Sequence, residues 1–227
     1  MLIDIHTHSS ESTGALSVCS LSVGNGFSVP VASSGVGFSV GLHPWDIAEC
    51  NAMQWDKYDF LGQMESVVAS PSVCMVGECG LDKYISVPLD VQEAIFEWHI
   101  ELSEACGKPL IVHCVRAFSE LIRLKKKYRP KQHWILHGFA KNADTAKMLM
   151  KEGVLLSFGK DLLSSTAQAT KVLPLLKDSM FFLETDVGSV PIAGVYAAAA
   201  RILEMDENEL ENRIEQHFEH IIHRNTI

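Results

Sequence analysis

Short apolar, β-branched runs recur along this chain, and most end in a histidine or a carboxylate. The runs are Leu2–Ile5, Ser17–Val23, Phe38–Leu42, Val73–Gly77, Leu110–Val112, Trp134–Leu136, Val154–Phe158 and Phe181–Glu184. Helical spacing fills the later gaps, over 89–106, 115–128, 141–151, 165–177 and 190–204. In 89–106, for example, Leu89, Ala94, Ile95, Trp98 and Leu102 share a face. A last helix is capped by Asp206, with Glu209 three residues on. It repeats Leu210, Ile214, Phe218 and Ile221 at spacings of four, four and three. Strands alternating with helices predict a parallel sheet covered by helices, and eight runs predict closure. The expected class is α/β, a distorted TIM (β/α) barrel. About eight residues join the first two runs, whereas a parallel crossover needs about a dozen or more. The first one or two outer helices are therefore expected to be short or missing.

At 227 residues the chain has the size of one such barrel, about 200–250 residues. No repeat or linker divides it, so 1–227 reads as a single domain. The hydrophobic fraction of 47% excludes wholesale disorder. Lys+Arg against Asp+Glu is 19 − 28 = −9. Such a chain has no long-range attraction for a phosphate backbone, although bound cations reverse the sign locally. The six cysteines form no C-x-x-C pair and several sit in apolar runs, so reduced thiols in a cytoplasmic protein are expected. Asp4, His6 and His8 interrupt the N-terminus, so no signal peptide is expected. Residues 12–45 carry no charge but are too rich in Ser, Gly and Pro for a membrane span. No membrane association and no protein partner is inferred.

The chemistry lies at the run ends. His6 and His8 follow run one, His43 run three, Glu78 run four, His113 run five, His137 run six and Asp186 run eight. In a parallel barrel all strand C-termini open on one face, where these residues converge. Along a strand His-x-His places both rings on one side. Imidazoles with carboxylates suit zinc, iron and manganese, and carboxylates also suit magnesium. A carboxylate such as Glu78 can bridge two ions, and an ion pair about 3.5–4 Å apart suits phosphoryl displacement. His-x-His alone is weak evidence, because paired strand histidines are often structural. Five separate strand ends each supplying a ligand are hard to explain as packing.

In order, the motifs are Asp4-Ile5-His6-Thr7-His8, Gly41-Leu42-His43-Pro44, Gly77-Glu78-Cys79-Gly80-Leu81-Asp82, Val112-His113-Cys114, Leu136-His137-Gly138-Phe139 and Glu184-Thr185-Asp186. Taken together the chain resembles the TatD family of metal-dependent deoxyribonucleases and hydrolases, as a small variant trimmed near its N-terminus. The resemblance implies two divalent ions, Zn, Mn or Mg. It implies that His6, His8 and Asp186 hold one, that His113 and His137 hold the other, and that Glu78 bridges them. Asp186 then orients or deprotonates the attacking water, and His43 lies at the pocket mouth beside the substrate phosphate. Asp82 supports a ligand from behind. The implied substrate is DNA, or another phosphoester, captured at the metal site.

The chain departs from the family pattern in places. The stretch between the first two motifs is short and uncharged. Lys83-Tyr84-Ile85 follow Asp82 without the usual arginine. Arg116 suits either a substrate phosphate or a surface salt bridge. Val187-Gly188-Ser189 replace a proline and a longer loop after Asp186.

Two other readings compete. The Asp-Ile-His-Thr-His opening also resembles the PHP phosphoesterases, which stands for a PHP-like or amidohydrolase-like enzyme acting on a small phosphoester or amide. A metal-binding protein without catalysis is the alternative of another class. His217, His220 and His223 are expected on a solvated helix face, with a local hydrogen bond possible at His217. His99 and His133 are expected away from the rim. Lys125-Lys126-Lys127 with Arg123 and Arg129 are expected to serve the helix dipole and not DNA.

Overall fold

The computed structural model describes residues 1–9, 14–23, 34–188 and 190–223. Among these lie the strands β1 (Ile3–Thr7), β2 (Leu16–Ser22), β3 (Val36–Gly41), β4 (Val73–Asp82), β5 (Leu110–Val115), β6 (Trp134–Leu136), β7 (Val154–Phe158) and β8 (Phe181–Leu183). The strand order is sequential, β1 through β8, with parallel pairing in β1–β2, β3–β4, β4–β5 and β7–β8. This is the order of a (β/α) barrel, as expected. Among the described residues no helix follows β1 or β2 before the next strand. The uncharged 12–45 stretch falls partly outside the described residues.

By chain contacts the protein divides into two compact units, one of Met1–Cys19, Ser33–Val36 and Ile135–Ile227, the other of Ser20–Ala32 and Gly37–Trp134. In the first unit the helices are α4 (Ala143–Lys151), α5 (Gln168–Val172), α6 (Ile192–Leu203) and α7 (Glu207–His223). Asp206 Oδ1 accepts from the N–H groups of Asn208 at 2.9 Å and Glu209 at 3.3 Å, which caps α7. Leu210, Ile214, Phe218 and Ile221 are buried, as the spacing predicts. The expected 165–177 helix is broken. Pro174 cannot donate an N–H to a continuing helix, and the chain passes into a 3-10 turn at Leu173–Leu176. Tyr196 on α6 ties down β1, its hydroxyl accepting from Ile3 N at 3.0 Å and donating to Ile3 O at 3.1 Å.

The second unit holds α1 (Lys57–Val68), α2 (Leu89–Cys106) and α3 (Phe118–Tyr128). The periodicity of the apolar runs does not reveal α1. Asp56 and Asp59 form a reciprocal capping box there, and Phe60, Met64 and Val68 are buried at spacings of four. Each such side chain contributes about 1.5–3 kcal/mol on burial. Arg123 and Lys127 on α3 pair with Glu93 and Glu97 on α2, both at 2.5 Å. Lys125 Nζ lies 4.7 Å from the Trp134 ring centroid. Those basic residues are thus taken up within the fold.

The fourth strand departs most from expectation. It runs ten residues, and Glu78 lies inside it and not at its end. Val76 pairs with Leu110 but Cys79 pairs with Val112. Three steps on β4 face two on β5, so one extra residue bulges out. Gly77, inside the bulge at φ +120°, makes this possible, since a Cβ there would stand 2.3 Å from Ile111 O, and Gly80 beyond it keeps the strands equally close. A Cβ on Gly80, at φ +144°, would stand 2.0 Å from His113 O. No helix among the described residues is long and apolar enough to cross a membrane.

Candidate metal centre

In the first unit His6 is buried in β1 and His8 follows it, with ring centroids 5.1 Å apart. Asp186 lies beyond the end of β8, yet it is held against β1. Its N–H donates to His6 O at 3.0 Å, and His8 N–H donates to Asp186 O at 3.2 Å. Its carboxylate Oδ1 then stands 3.7 Å from His6 Nε2 and 3.5 Å from His8 Nε2. Two donors each ~2.1 Å from one ion at a tetrahedral angle lie about 3.4 Å apart. These three residues therefore fit a shared divalent ion, and their donor atoms all lie within 4.8 Å of one another. The His137 ring sits 4.3 Å from that of His6.

Two carboxylates stand behind this set. Asp4 accepts from Thr185 N at 3.0 Å and Thr185 Oγ1 at 2.6 Å, which fixes the residue before Asp186. Burial pushes the Asp4 carboxyl up to about 7. Glu184 accepts from Gly138 N at 2.6 Å and lies 3.7 Å from His137 Nδ1. Burial alone pushes the Glu184 carboxyl up, but His137, His6 and Ser157 outweigh it and hold it below the usual range. A cleft of about 500 Å³ opens beside Asp186, lined among others by Thr7, His8, Ser17 and Pro191.

In the second unit His43 caps a 3-10 turn, Pro44–Asp46. Its Nδ1 accepts from Trp45 N at 3.1 Å, and its Nε2 lies 3.0 Å from Glu78 Oε1. With the Nδ1 lone pair occupied, the neutral ring must carry its proton on Nε2. His43 is thereby placed to donate to Glu78, and with Glu78 and His113 it forms a cluster whose possible ligand atoms all lie within 4.8 Å of one another. His113 has the opposite arrangement. Its Nε2 faces Asp82 Oδ2 at 3.2 Å, and its Nδ1 faces Glu78 Oε1 at 3.1 Å. If Nε2–H donates to Asp82, Nδ1 turns a lone pair toward a carboxylate. A proton or a cation must lie between those two acceptors, so His113 and Glu78 fit a divalent ion. These tautomers are assigned from the hydrogen-bond partners.

Asp82 organises its surroundings. Its Oδ2 accepts from Trp45 Nε1 at 2.8 Å and its Oδ1 from Tyr84 N at 2.8 Å. Gln92 Oε1 accepts from Asp82 N at 2.7 Å. Burial pushes the Asp82 carboxyl up, but the bonds from Trp45, Tyr84 and His113 outweigh it and leave it lowered. Arg116, expected near substrate or surface, lies with its guanidinium carbon 4.2 Å from the Tyr84 ring centroid.

His99 is nearer the site than its sequence position suggests. Its Nε2 accepts from Leu42 N at 2.9 Å, directly before His43, and its Nδ1 bonds Ile95 O at 2.8 Å. His217 takes the local role, with Nδ1 3.2 Å from Phe181 O. The sequence alone yields no role for Asp4, Trp45, Tyr84, Gln92 or Glu184. The readable signals are the position of Trp45 after His43-Pro44 and of Glu184 inside Glu184-Thr185-Asp186.

Parallel α/β strand order with two imidazole–carboxylate clusters defines a barrel chain with candidate metal-binding sites. The chain belongs to the family of TatD related DNases, whose family model matches residues 28–223. It is 33% identical over 131 residues to an uncharacterized metal-dependent hydrolase TatD of Mycobacterium tuberculosis, covering 55% of this chain and 50% of that protein. It is 31% identical over 121 residues to the 3'-5' ssDNA/RNA exonuclease TatD of Edwardsiella piscicida, covering 52% and 44%. The matches thus span about half the length of these relatives. The crystal structure of YJJV, a TatD homolog from Escherichia coli, shares the fold at a TM-score of 0.80 and 18% identity, covering 98% of each chain.

Proposed function

We propose that the chain is a single-domain, divalent-metal-dependent hydrolase that cleaves DNA phosphodiester bonds at strand ends or in single strands. The observation that carries this reading is the His6, His8 and Asp186 set, whose donor atoms lie within 4.8 Å of one another, together with Glu78 Oε1 at 3.1 Å from His113 Nδ1. Its setting in a TatD related DNase chain supports the substrate class. Divalent ions, Zn, Mn or Mg, would be held by His6, His8 and Asp186 in the one unit and by Glu78 and His113 in the other. Ions bound there would lower the pKa of a water toward neutrality and offset charge on the phosphoryl oxygens.

The side chains perform the remaining steps. Asp186 accepts the proton of the water that attacks phosphorus, and the ester P–O bond breaks. His43, with its proton on Nε2, donates to the substrate phosphate or to the departing oxygen. Asp82 and Glu184 hold His113 and His137 in the orientations this requires. The net charge of −9 means that substrate is captured locally and not by an extended basic surface. The cysteine thiols suit a reducing compartment, and we assign the chain to the cytoplasm.

A panel of Zn, Mn and Mg against single-stranded DNA, duplex DNA and bis(4-nitrophenyl) phosphate tests the reading. Metal-stimulated cleavage of single-stranded DNA is expected. Cleavage of none of the three by any metal form contradicts it.

A further inference from the structure

We infer that Trp45 and the Tyr84–Arg116 pair form a stacking platform for the bases of a single-stranded nucleic acid entering the site; this rests on the nuclease reading. Large aromatic side chains are ordinarily buried. Here Trp45 is 61% and Tyr84 64% exposed, yet both are placed by one buried carboxylate. Asp82 holds the Trp45 ring through its indole N–H on Oδ2 and the Tyr84 backbone through its N–H on Oδ1, and the Arg116 guanidinium covers the Tyr84 ring. A rigid, exposed ring loses little conformational entropy on binding, which suits it to stacking.

Placement supports the same conclusion. The Trp45 ring stands 5.1 Å from His43 and 6.0 Å from His113, nearly perpendicular to both imidazoles at 86° and 74°. A base held by Trp45 brings its own phosphate toward His43. Arg116 adopts φ +56°, a left-handed conformation uncommon outside glycine and asparagine, and lays its guanidinium over Tyr84. A cation paired with an aromatic ring is a surface that binds both a base face and a phosphate. The neighbouring Lys83 is already paired with Glu120 at 2.7 Å, which leaves Arg116 as the cation that Tyr84 presents. Stacking reads no sequence, because every base has a π face. The platform therefore selects unpaired strands over duplex without choosing among bases.

The test measures binding to the metal-loaded full chain. The probes are a fluorescein-labelled, phosphorothioate-linked single-stranded octanucleotide that resists cleavage and its abasic counterpart. The octanucleotide is expected to bind at least about 10-fold more tightly than the abasic strand. Trp45→Ala and Tyr84→Ala should each weaken octanucleotide binding by about 5–100-fold, whereas Tyr84→Phe, which keeps the ring and the backbone N–H bonded to Asp82, should retain most of it. In cleavage of an ordinary oligonucleotide the loss should appear in KM more than in kcat.

Equal binding of the two strands, no detectable binding, or alanine variants that bind like the wild type overturn the platform. Should Trp45→Ala fail to fold, Tyr84→Ala and Tyr84→Phe decide alone. Cleavage of both strands with equal KM overturns the platform and leaves the nuclease reading standing. Preferential binding of the base-bearing strand without cleavage of any phosphodiester retains the platform and removes the nuclease reading.

Discussion

Asp82 Oδ2 lies 3.2 Å from Nε2 of His113, and this contact sets which nitrogen of the imidazole faces Glu78. When Nε2–H donates to this carboxylate, Nδ1 is left with its lone pair turned toward Glu78.

Asp82→Ala should consequently weaken divalent-ion binding by about 10–100-fold, the usual cost of losing a residue that orients a metal-binding histidine. Competition with a chromophoric chelator measures it. Affinity equal to that of the wild type would show that the His113 ring is held by other means.

Gly80 should not tolerate a side chain. Its φ is +144°, and a Cβ added there would approach His113 O to 2.0 Å. Backbone strain is thus combined with collision against main chain. Gly80→Ala should cost about 3 kcal/mol or more, read from a shifted denaturant midpoint at constant m-value. A urea midpoint within about 0.5 M of the wild type, equivalent to about 1 kcal/mol, contradicts the close β4–β5 approach.

The buried His99 makes stability depend on pH. Burial drives its pKa down to about 4 from 6.5, so the folded protein holds it neutral while the unfolded chain protonates it. The contribution is complete above about pH 6.5 and is lost as pH falls from there to about 4, where it levels off. Its size is about 3 kcal/mol. His99→Gln, which can still accept from Leu42 N–H, should flatten that part of the stability–pH curve. A curve of unchanged slope over the same pH range in the variant counts against the assignment.

Glu184 accepts from Gly138 N–H and is fully buried beside His137. Glu184→Ala leaves that N–H without its carboxylate and the imidazole without its neighbour, so a loss of about 3–5 kcal/mol is expected. Calorimetric melting of the metal-loaded protein measures it, and an unchanged Tm contradicts the role.

Much of this arrangement is legible in local sequence. The runs at Trp134–Leu136 and Val154–Phe158 and the helix at 89–106 agree with β6, β7 and α2 residue for residue, because each is bounded by clear changes of periodicity. β4 is longer than its apolar run, since Gly77-Glu78-Cys79-Gly80 looks like a strand end when the pairing with β5 is unseen. α1 escapes the periodicity because, among the described residues, its buried face is three residues, Phe60, Met64 and Val68; Asp56 and Asp59 are its readable signal. The roles of Asp4 and Trp45 come from contacts distant in sequence. Thr185 lies 181 positions from Asp4 and Asp82 lies 37 from Trp45, so no local pattern could announce them. His-x-His and the strand-end histidines are legible because a two-residue period and a parallel sheet leave their side chains few places to go.

If Asp186 and Glu78 serve metal-dependent cleavage of a phosphodiester, their carboxylates are indispensable to turnover. The most direct measurement is the initial rate of single-stranded oligonucleotide cleavage, with and without divalent ion, for the wild type, Asp186→Asn and Glu78→Gln. Metal-stimulated cleavage by the wild type is predicted, with a fall of at least about 100-fold in each variant and melting temperatures that show both variants folded. Cleavage by both folded variants at the wild-type rate would contradict it.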